Sequence, residues 1–444
     1  MLRPSDVFLN FYLTSNSPLV TNLADTIGTE ISIHGYNQDD KKAFLITLLL
    51  NLKLTYDSGA FIPLHRSPKY YAKLTKKYCS SKQSYKIVTQ ITDGLITAGY
   101  LRIGGFISRA RASTYQATDK LMKLLRPIPN SVIQLERPKT FVVLRKKISD
   151  DDTEYITEVD YTDALADAIN EDLKKYNTLR EKTQLSLKNV PAQIAQNLRQ
   201  KLEQISLENF KNIKANADGS YNFNLIPTHL YRIFNEDFNH GGRFYRGVES
   251  NMASTYINIG GVEQKVKLRE FIEINGNSTI ELDYSAMHPR MLYHMKGIDY
   301  RNDPNMIEKS CSNEMRTIYK IVGLICINSE SEAKAVDAIQ DDLQKAGLTP
   351  YLPDNTDATR KKLINKFRKK NRRIDEYFLT GEGLRLQNKD SDIAHSILMH
   401  FAERGILVLC VHDSFIIEKK YEKELKRKMK EFYHAKMGFQ PVIK

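Results

Sequence analysis

Two strand-length apolar runs, each with an aspartate at or near its tip, constrain this chain more than any other feature. The first is Ile280-Glu281-Leu282-Asp283-Tyr284-Ser285; the second runs from Ile406 through Val411-His412-Asp413-Ser414 to Ile417. A carboxylate among apolar strand residues is costly unless a cation answers it. Asp also ends strands simply by capping a turn. If the two runs are neighbours in one sheet, Asp283 and Asp413 meet and together can hold Mg²⁺. Two metals held in that way clamp the attacking and leaving oxygens of a phosphoryl transfer.

The surroundings sharpen this reading. Ile272, Ile274, Ile280 and Leu282 suggest a hairpin turning at Asn275-Gly276-Asn277, a strong turn signal. Met287, Met291 and Leu292 continue as a helix, with Pro289 tolerated in its first turn. Residues 315–328 form a second helical pattern in which Arg316 and Lys320 lie one turn apart on one face, continued by Leu324 and Asn328. Two cations so placed suit a polyphosphate; a solvent-facing helix carries such pairs too. Upstream, Phe238-Asn239-His240-Gly241-Gly242-Arg243-Phe244-Tyr245-Arg246-Gly247 packs glycines around two arginines. Arg243 and Arg246 either hold phosphates or flank an ordinary turn. Downstream, Ala394, Ile397, Leu398 and Phe401 make an amphipathic helix that Gly405 ends before the second aspartate run.

Asp283-Tyr284-Ser285 with its following helix resembles motif A of family A DNA polymerases, and Val411-His412-Asp413-Ser414 resembles motif C of the single-subunit RNA polymerases of phages and mitochondria. Gly242-Arg243 is similar to the Gly-Arg template-contacting element of the latter, with Asn239-His240 in place of its usual acidic residue. Residues 315–328 resemble the fingers helix, and Leu386-Gln387-Asn388-Lys389-Asp390-Ser391-Asp392-Ile393 resembles the helix whose Gln reads the nascent pair. The resemblance covers roughly residues 235–420, with its parts in polymerase order. It implies an α+β right-hand polymerase with an antiparallel palm sheet and helical fingers and thumb. Asp283 and Asp413 would then hold two Mg²⁺ ions, or Mn²⁺ in their place. His412 would sit by the 3′ end. Arg316, Lys320, Asn328, His288 and Tyr284 would face the nucleoside triphosphate, and Arg243, Arg246 and Gln387 the nucleic acid. Ser414 stands where the DNA enzymes carry Glu, and His288 where they carry the Glu that screens out ribose. RNA synthesis or priming is therefore favoured over DNA synthesis, and template-directed addition over untemplated.

The excess of 66 Lys and Arg over 53 Asp and Glu gives a net charge of +13, which argues for a polyanionic partner, DNA or RNA. No apolar run approaches the roughly 20 residues of a membrane span. The start of the chain lacks a secretory pattern, and its four scattered cysteines fit a reducing, cytoplasmic setting. Residues 1–129 are expected to form one domain. In it a helix over 39–54 precedes a basic, tyrosine-rich stretch, a helix over 87–99 ends at Gly99, and two strands (100–103 and 114–117) flank a basic connection. This resembles a winged helix, which would place Lys86 near a duplex and Arg109 and Arg111 on phosphates; winged helices also dock proteins. Residues 130–225 are expected to hold a small sheet (strands 131–135 and 140–145) and a helical thumb over 161–212, and residues 226–444 the palm and fingers. The basic run from Arg360 to Arg373 is expected to be a helix, bound to phosphate or merely solvated. A DNA-binding regulator with an inactive palm and a two-metal nuclease remain the competing readings.

Overall fold

The computed structural model describes residues 9–444 except 34–36, 57–58, 73–81, 108–111, 130–131, 137, 151–152, 193, 196–215, 226–227, 246, 248, 250–253, 260–261 and 309–310. The fold is mixed α+β, its described strands paired antiparallel except where residues 142–145 run parallel to 232–235. Buried apolar side chains form two clusters, one within residues 9–128 and one within 141–433.

The first cluster is built by β1 (Leu13–Thr14), α1 (Pro18–Glu30), α2 (Gln38–Thr55), β2 (Ile62–His65), α3 (Pro68–Ala72), α4 (Tyr85–Thr97), β3 (Leu101–Ile107), β4 (Ala112–Ala117) and α5 (Asp119–Leu125). Leucines surround α2, so it is buried on every side from Phe44 to Lys53, as a helix apolar all round must be. Ser84 caps α4 by accepting from the Ile87 N–H; Ile87, Val88, Ile91 and Leu95 then face inward. Lys86, Gln90, Asp93 and Thr97 are exposed along the opposite side. Gly99, at φ +74°, ends the helix, and the Tyr100 N–H closes it by donating to the Leu95 carbonyl at 2.8 Å. Strands β2, β4 and β3 pair in that order. The expected sheet of strands 131–135 and 140–145 does not form. β5 (Gln134–Leu135) instead pairs with β1.

The second cluster starts with β6 (Val142–Asp150), β7 (Thr153–Glu158), α6 (Ala164–Lys182), β8 (Leu185–Val190), β9 (Tyr221–Leu225), β10 (Tyr231–Asn235) and β11 (Asp237–Tyr245). There follow β12 (Ser254–Ile259), β13 (Val262–Lys267), β14 (Ile272–Ile274), β15 (Asn277–Asp283), α7 (Met287–Met295), α8 (Asn313–Asn328), α9 (Glu332–Lys345) and α10 (Asp357–Lys370). The chain closes with α11 (Gly383–Ala402), β16 (Leu409–Val411), β17 (Ser414–Glu418) and α12 (Glu422–Met437). A six-stranded sheet, ordered β16-β17-β15-β14-β8-β9, is antiparallel throughout. A second sheet runs β11-β10-β6-β7.

The helical thumb expected over 161–212 is corrected here. Helix stops at Lys182, and Leu185, Leu187 and Val190 turn inward as β8 between β14 and β9. Leu185 and Leu187 alternate with Ser186 and Lys188, a period of two that suits a sheet rather than a helix, and Val190 turns inward past a register shift. β8 and β9 thus share a sheet with the strand that ends in Asp283. Leu198, Leu202, Ile205 and Phe210, assigned to the same helical region, lie outside the described residues. What remains of that region, α6, acts as a buttress: its buried Tyr176 hydroxyl donates to the Val408 carbonyl at 2.6 Å, beneath β16.

The basic run falls on α10 and the short turn after it. Leu363, Ile364 and Phe367 face the core and Lys361, Lys362, Lys369 and Lys370 are exposed. Arg360 is buried against Asn355 and Asp357, and Arg368 pairs with Asp375 at 2.6 Å. Part of the charge is therefore spent on the helix's own surroundings.

Candidate active site

Asp283 ends β15, and Asp413 lies in the turn that leads into its neighbour β17. The β14–β15 hairpin turns at Asn275 (φ 52°) and Gly276 (φ 76°), the left-handed pair that a tight two-residue turn needs. That turn sets β15 so that Asp283 pairs directly with Ser414, the residue after Asp413. Asp413 itself occupies the turn joining β16 to β17, and its carbonyl accepts from the Tyr284 N–H at 3.1 Å. Residues 442–444 run alongside: Asp283 and Lys444 exchange backbone hydrogen bonds of 3.1 and 2.9 Å.

The electrostatics show the same convergence. Burial and then the Asp413 charge push the Asp283 carboxyl up to about 7, against the pull of Lys320 and Lys444. Like charges brought together in partial burial have this effect, and a divalent cation would relieve it. Among the described residues no group of three or more His, Cys, Asp and Glu is arranged to hold a metal. Mg²⁺ commonly takes only one or two carboxylates and completes its shell with water and substrate phosphate, so the Asp283–Asp413 pair fits that ion.

A pH dependence follows. Between about 4 and 7 the folded state holds a proton on Asp283 that the unfolded state has released. The Mg²⁺-free protein therefore loses stability as pH rises through that window. Mg²⁺ bound at this pair would have to displace the same proton, so its apparent affinity would rise by up to about tenfold per pH unit and level off above 7. Melting temperatures with and without Mg²⁺ from pH 5 to 8 check both trends; a Mg²⁺-induced shift that is flat with pH would contradict them.

The remaining predicted residues fall into groups. Lys320 is exposed on α8, acts on Asp283, and has no carboxylate partner among the described residues. Leu324 and Asn328 are exposed on the same face. Asn328 also covers Gly383 at the start of α11, where an added Cβ would stand 1.9 Å from its side-chain oxygen. Arg316 shares that face but is committed to Asp303 at 2.6 Å. Gln387 is half-buried on α11. His412 sits in the β16–β17 turn at φ 58°. Burial and the nearby Arg243 hold its imidazole below the usual range, and its Nδ1 is buried with no partner among the described residues.

Three assignments are corrected. Tyr284 does not face a nucleotide: it is 2% exposed and its hydroxyl donates to the Met429 carbonyl at 2.6 Å. It follows Asp283 on the strand, so it points to the opposite, core side. Arg243 is not presented openly to a phosphate. It pairs with the buried Asp390 and meets His288 Nε2 at 3.0 Å, while its charge acts on Asp413. His288 is likewise buried, 2.6 Å from Asp390, and walls the site instead of opening onto it. Arg246, Arg109 and Arg111 lie outside the described residues; Lys86 is exposed in the first turn of α4.

Sequence reasoning missed Asp390, Glu281, Arg269 and Lys444. Asp390 had a legible signal. It falls among Leu386, Ile393, Ala394 and Ile397 on the buried face of α11, and a charge on an apolar face demands a partner. Glu281 lies two residues before Asp283, on the same side of the strand; it contacts the Ser414 hydroxyl and pairs with Arg269 at 3.1 Å. Nothing local in the sequence pointed to these pairings.

Gly241 (φ 73°) and Gly242 (φ 83°) bend β11 so that Arg243 reaches Asp390. A Cβ at Gly242 would stand 2.6 Å from the Phe234 ring. Gly242→Ala should therefore destabilise the fold by about 2–4 kcal/mol, combining left-handed strain with overpacking, as read by urea denaturation. Neither any protein-family model nor any curated protein matches this chain.

Proposed function

We propose that the chain is a nucleotidyltransferase of right-hand polymerase type, adding nucleotides to a nucleic-acid 3′ end by two-metal phosphoryl transfer. The observation that carries this reading is the placing of Asp283 beside Asp413 at adjoining strand tips, with Lys320 acting on Asp283 from a neighbouring helix. When bound, Mg²⁺ would activate the 3′-hydroxyl and stabilise the departing pyrophosphate. Asp283 and Asp413 would hold it. Lys320 would neutralise triphosphate oxygens, joined by Arg316 if the phosphate displaces Asp303. Arg243, fixed by Asp390, keeps a positive charge beside Asp413. His412, held neutral, can accept or donate a hydrogen bond near the 3′ end.

A binding role at the N-terminal cluster supports the same reading. Its order of α2, β2, α3, α4, β3 and β4 is compatible with the winged-helix reading, and Lys86 and Gln90 lie on the exposed side of α4. That side would meet DNA, and the +13 charge favours such a partner. Primer extension with NTPs and dNTPs in turn, with and without template, tests the activity. Incorporation of NTPs in a template-dependent manner is expected; strand hydrolysis without incorporation under all four conditions would refute the proposal in favour of a nuclease.

A further inference from the structure

A recess of about 880 Å³ lies between α6, β11 and α11, on the side of α11 away from Asp390. One wall carries Leu165, Ile169, Phe234 and Phe238 among polar residues. Leu165 is 59% exposed, an unusual position for a leucine beside a polar opening. Facing that wall, α11 presents Arg385, Asn388, Lys389, Asp392 and Ser396, the i, i+3, i+4 spacing of one helix face.

The charges around this recess are unevenly answered. Asp392 is paired with Arg232 at 3.0 Å and with Lys436 at 2.8 Å. Asp172 is met by His395 at 3.0 Å, and Asp237 by His240 at 2.7 Å. Two cations are left over. Arg385 is 65% exposed and has only Glu382, at 3.9 Å. Lys389, one turn further on, has no carboxylate partner among the described residues. Asp392 is thus answered by permanent cations and Asp172 and Asp237 by hydrogen bonds from histidines, while Arg385 and Lys389 stand beside aliphatic and aromatic side chains. Those two cations and that surface are complementary to an anion that also carries flat apolar faces.

The recess also adjoins the site. β11 lines it with Asp237, Phe238, Asn239 and His240 and, three residues later, places Arg243 beside Asp413. Three residues span at most about 10 Å. The recess and the site are therefore close along β11, on opposite sides of α11.

We infer that this recess binds single-stranded nucleic acid, with phosphates on Arg385 and Lys389 and bases against Phe238 and Leu165. A basic groove with an apolar or aromatic platform binds single strands without sequence preference, whereas a duplex turns its bases inward and offers such a wall nothing. The further assignment of that strand as the template rests on the polymerase reading; the binding itself does not.

Fluorescence anisotropy of the full chain with a labelled oligo-dT, titrated at several salt concentrations, tests this. Arg385→Ala/Lys389→Ala should weaken binding roughly tenfold at 0.1 M salt and reduce the salt slope by about 1.4, for two lost phosphate contacts. Leu165→Glu, at an exposed position that leaves the core intact, should weaken binding as well. Lys334→Ala/Lys345→Ala on α9 removes equal charge elsewhere and should change neither slope nor affinity by more than about twofold. Equal losses in the α9 control and the recess variants would reduce the effect to net charge and overturn the site. Unchanged oligo-dT binding in both recess variants would also overturn it, and loss of poly-glutamate binding alone would make the recess an acidic-peptide site instead. The polymerase reading fails separately, if Asp413→Ala still extends primers, whatever the anisotropy shows.

Discussion

Asp413→Ala, and separately Asp283→Ala, should lower nucleotide incorporation by about 10³-fold or more while leaving nucleic-acid binding within a few-fold. Losing a ligand to the metal pair removes several kcal/mol of transition-state stabilisation, and each 1.36 kcal/mol is a factor of ten in rate. Binding is spared because it rests on cations elsewhere. Folding is spared too, since each change removes one of two crowded like charges; burial and Asp413 hold the Asp283 carboxyl up at about 7. Asp283→Asn should accordingly raise the Mg²⁺-free melting temperature at pH 8 while abolishing the Mg²⁺-dependent shift. Single-turnover incorporation and anisotropy on the same preparations give the two readouts. Full activity in both alanine variants would remove these residues from the chemistry.

The second large effect concerns stability. Arg180 on α6 is 1% exposed and Glu249 fully buried; the guanidinium meets both carboxylate oxygens, one at 3.1 Å, and also donates to the Thr228 carbonyl. Removing one partner strands a charge in the interior. Arg180→Met should cost about 3–5 kcal/mol, which for a unit of this size is a fall of roughly 6–20 °C in melting temperature. Arg180→Met/Glu249→Leu should recover most of that loss, because no charge is left uncompensated. The same α6 supports β16 through Tyr176 and Val408, so partial loss of activity should accompany Arg180→Met even below its melting temperature. A loss under 1 kcal/mol would mean that water reaches the pair.

Local elements were largely legible. The Asn275-Gly276 turn, the helix of residues 313–328 with Lys320 outward, and the amphipathic helix ended by Gly405 follow from spacing and turn chemistry alone. Where the reading failed, a long-range partner decided. Residues 185–190, read as part of the helical stretch over 161–212, become a strand to which β14 and β9 offer hydrogen bonds on both sides. Tyr284 looks available beside Asp283, yet the space beneath Met429 takes it.

By itself the sequence determined the tight turn before Asp283, several of the helices, where the charged tips fall and which helix faces carry cations, because these depend on neighbours within a turn or two. Only the tertiary structure decided that Asp283 stands next to Asp413 and that Arg243 and His288 are claimed by Asp390. Those pairings join residues 102 to 147 positions apart. Their energies exist only once the sheet is closed around them, so no local pattern of residues encodes them.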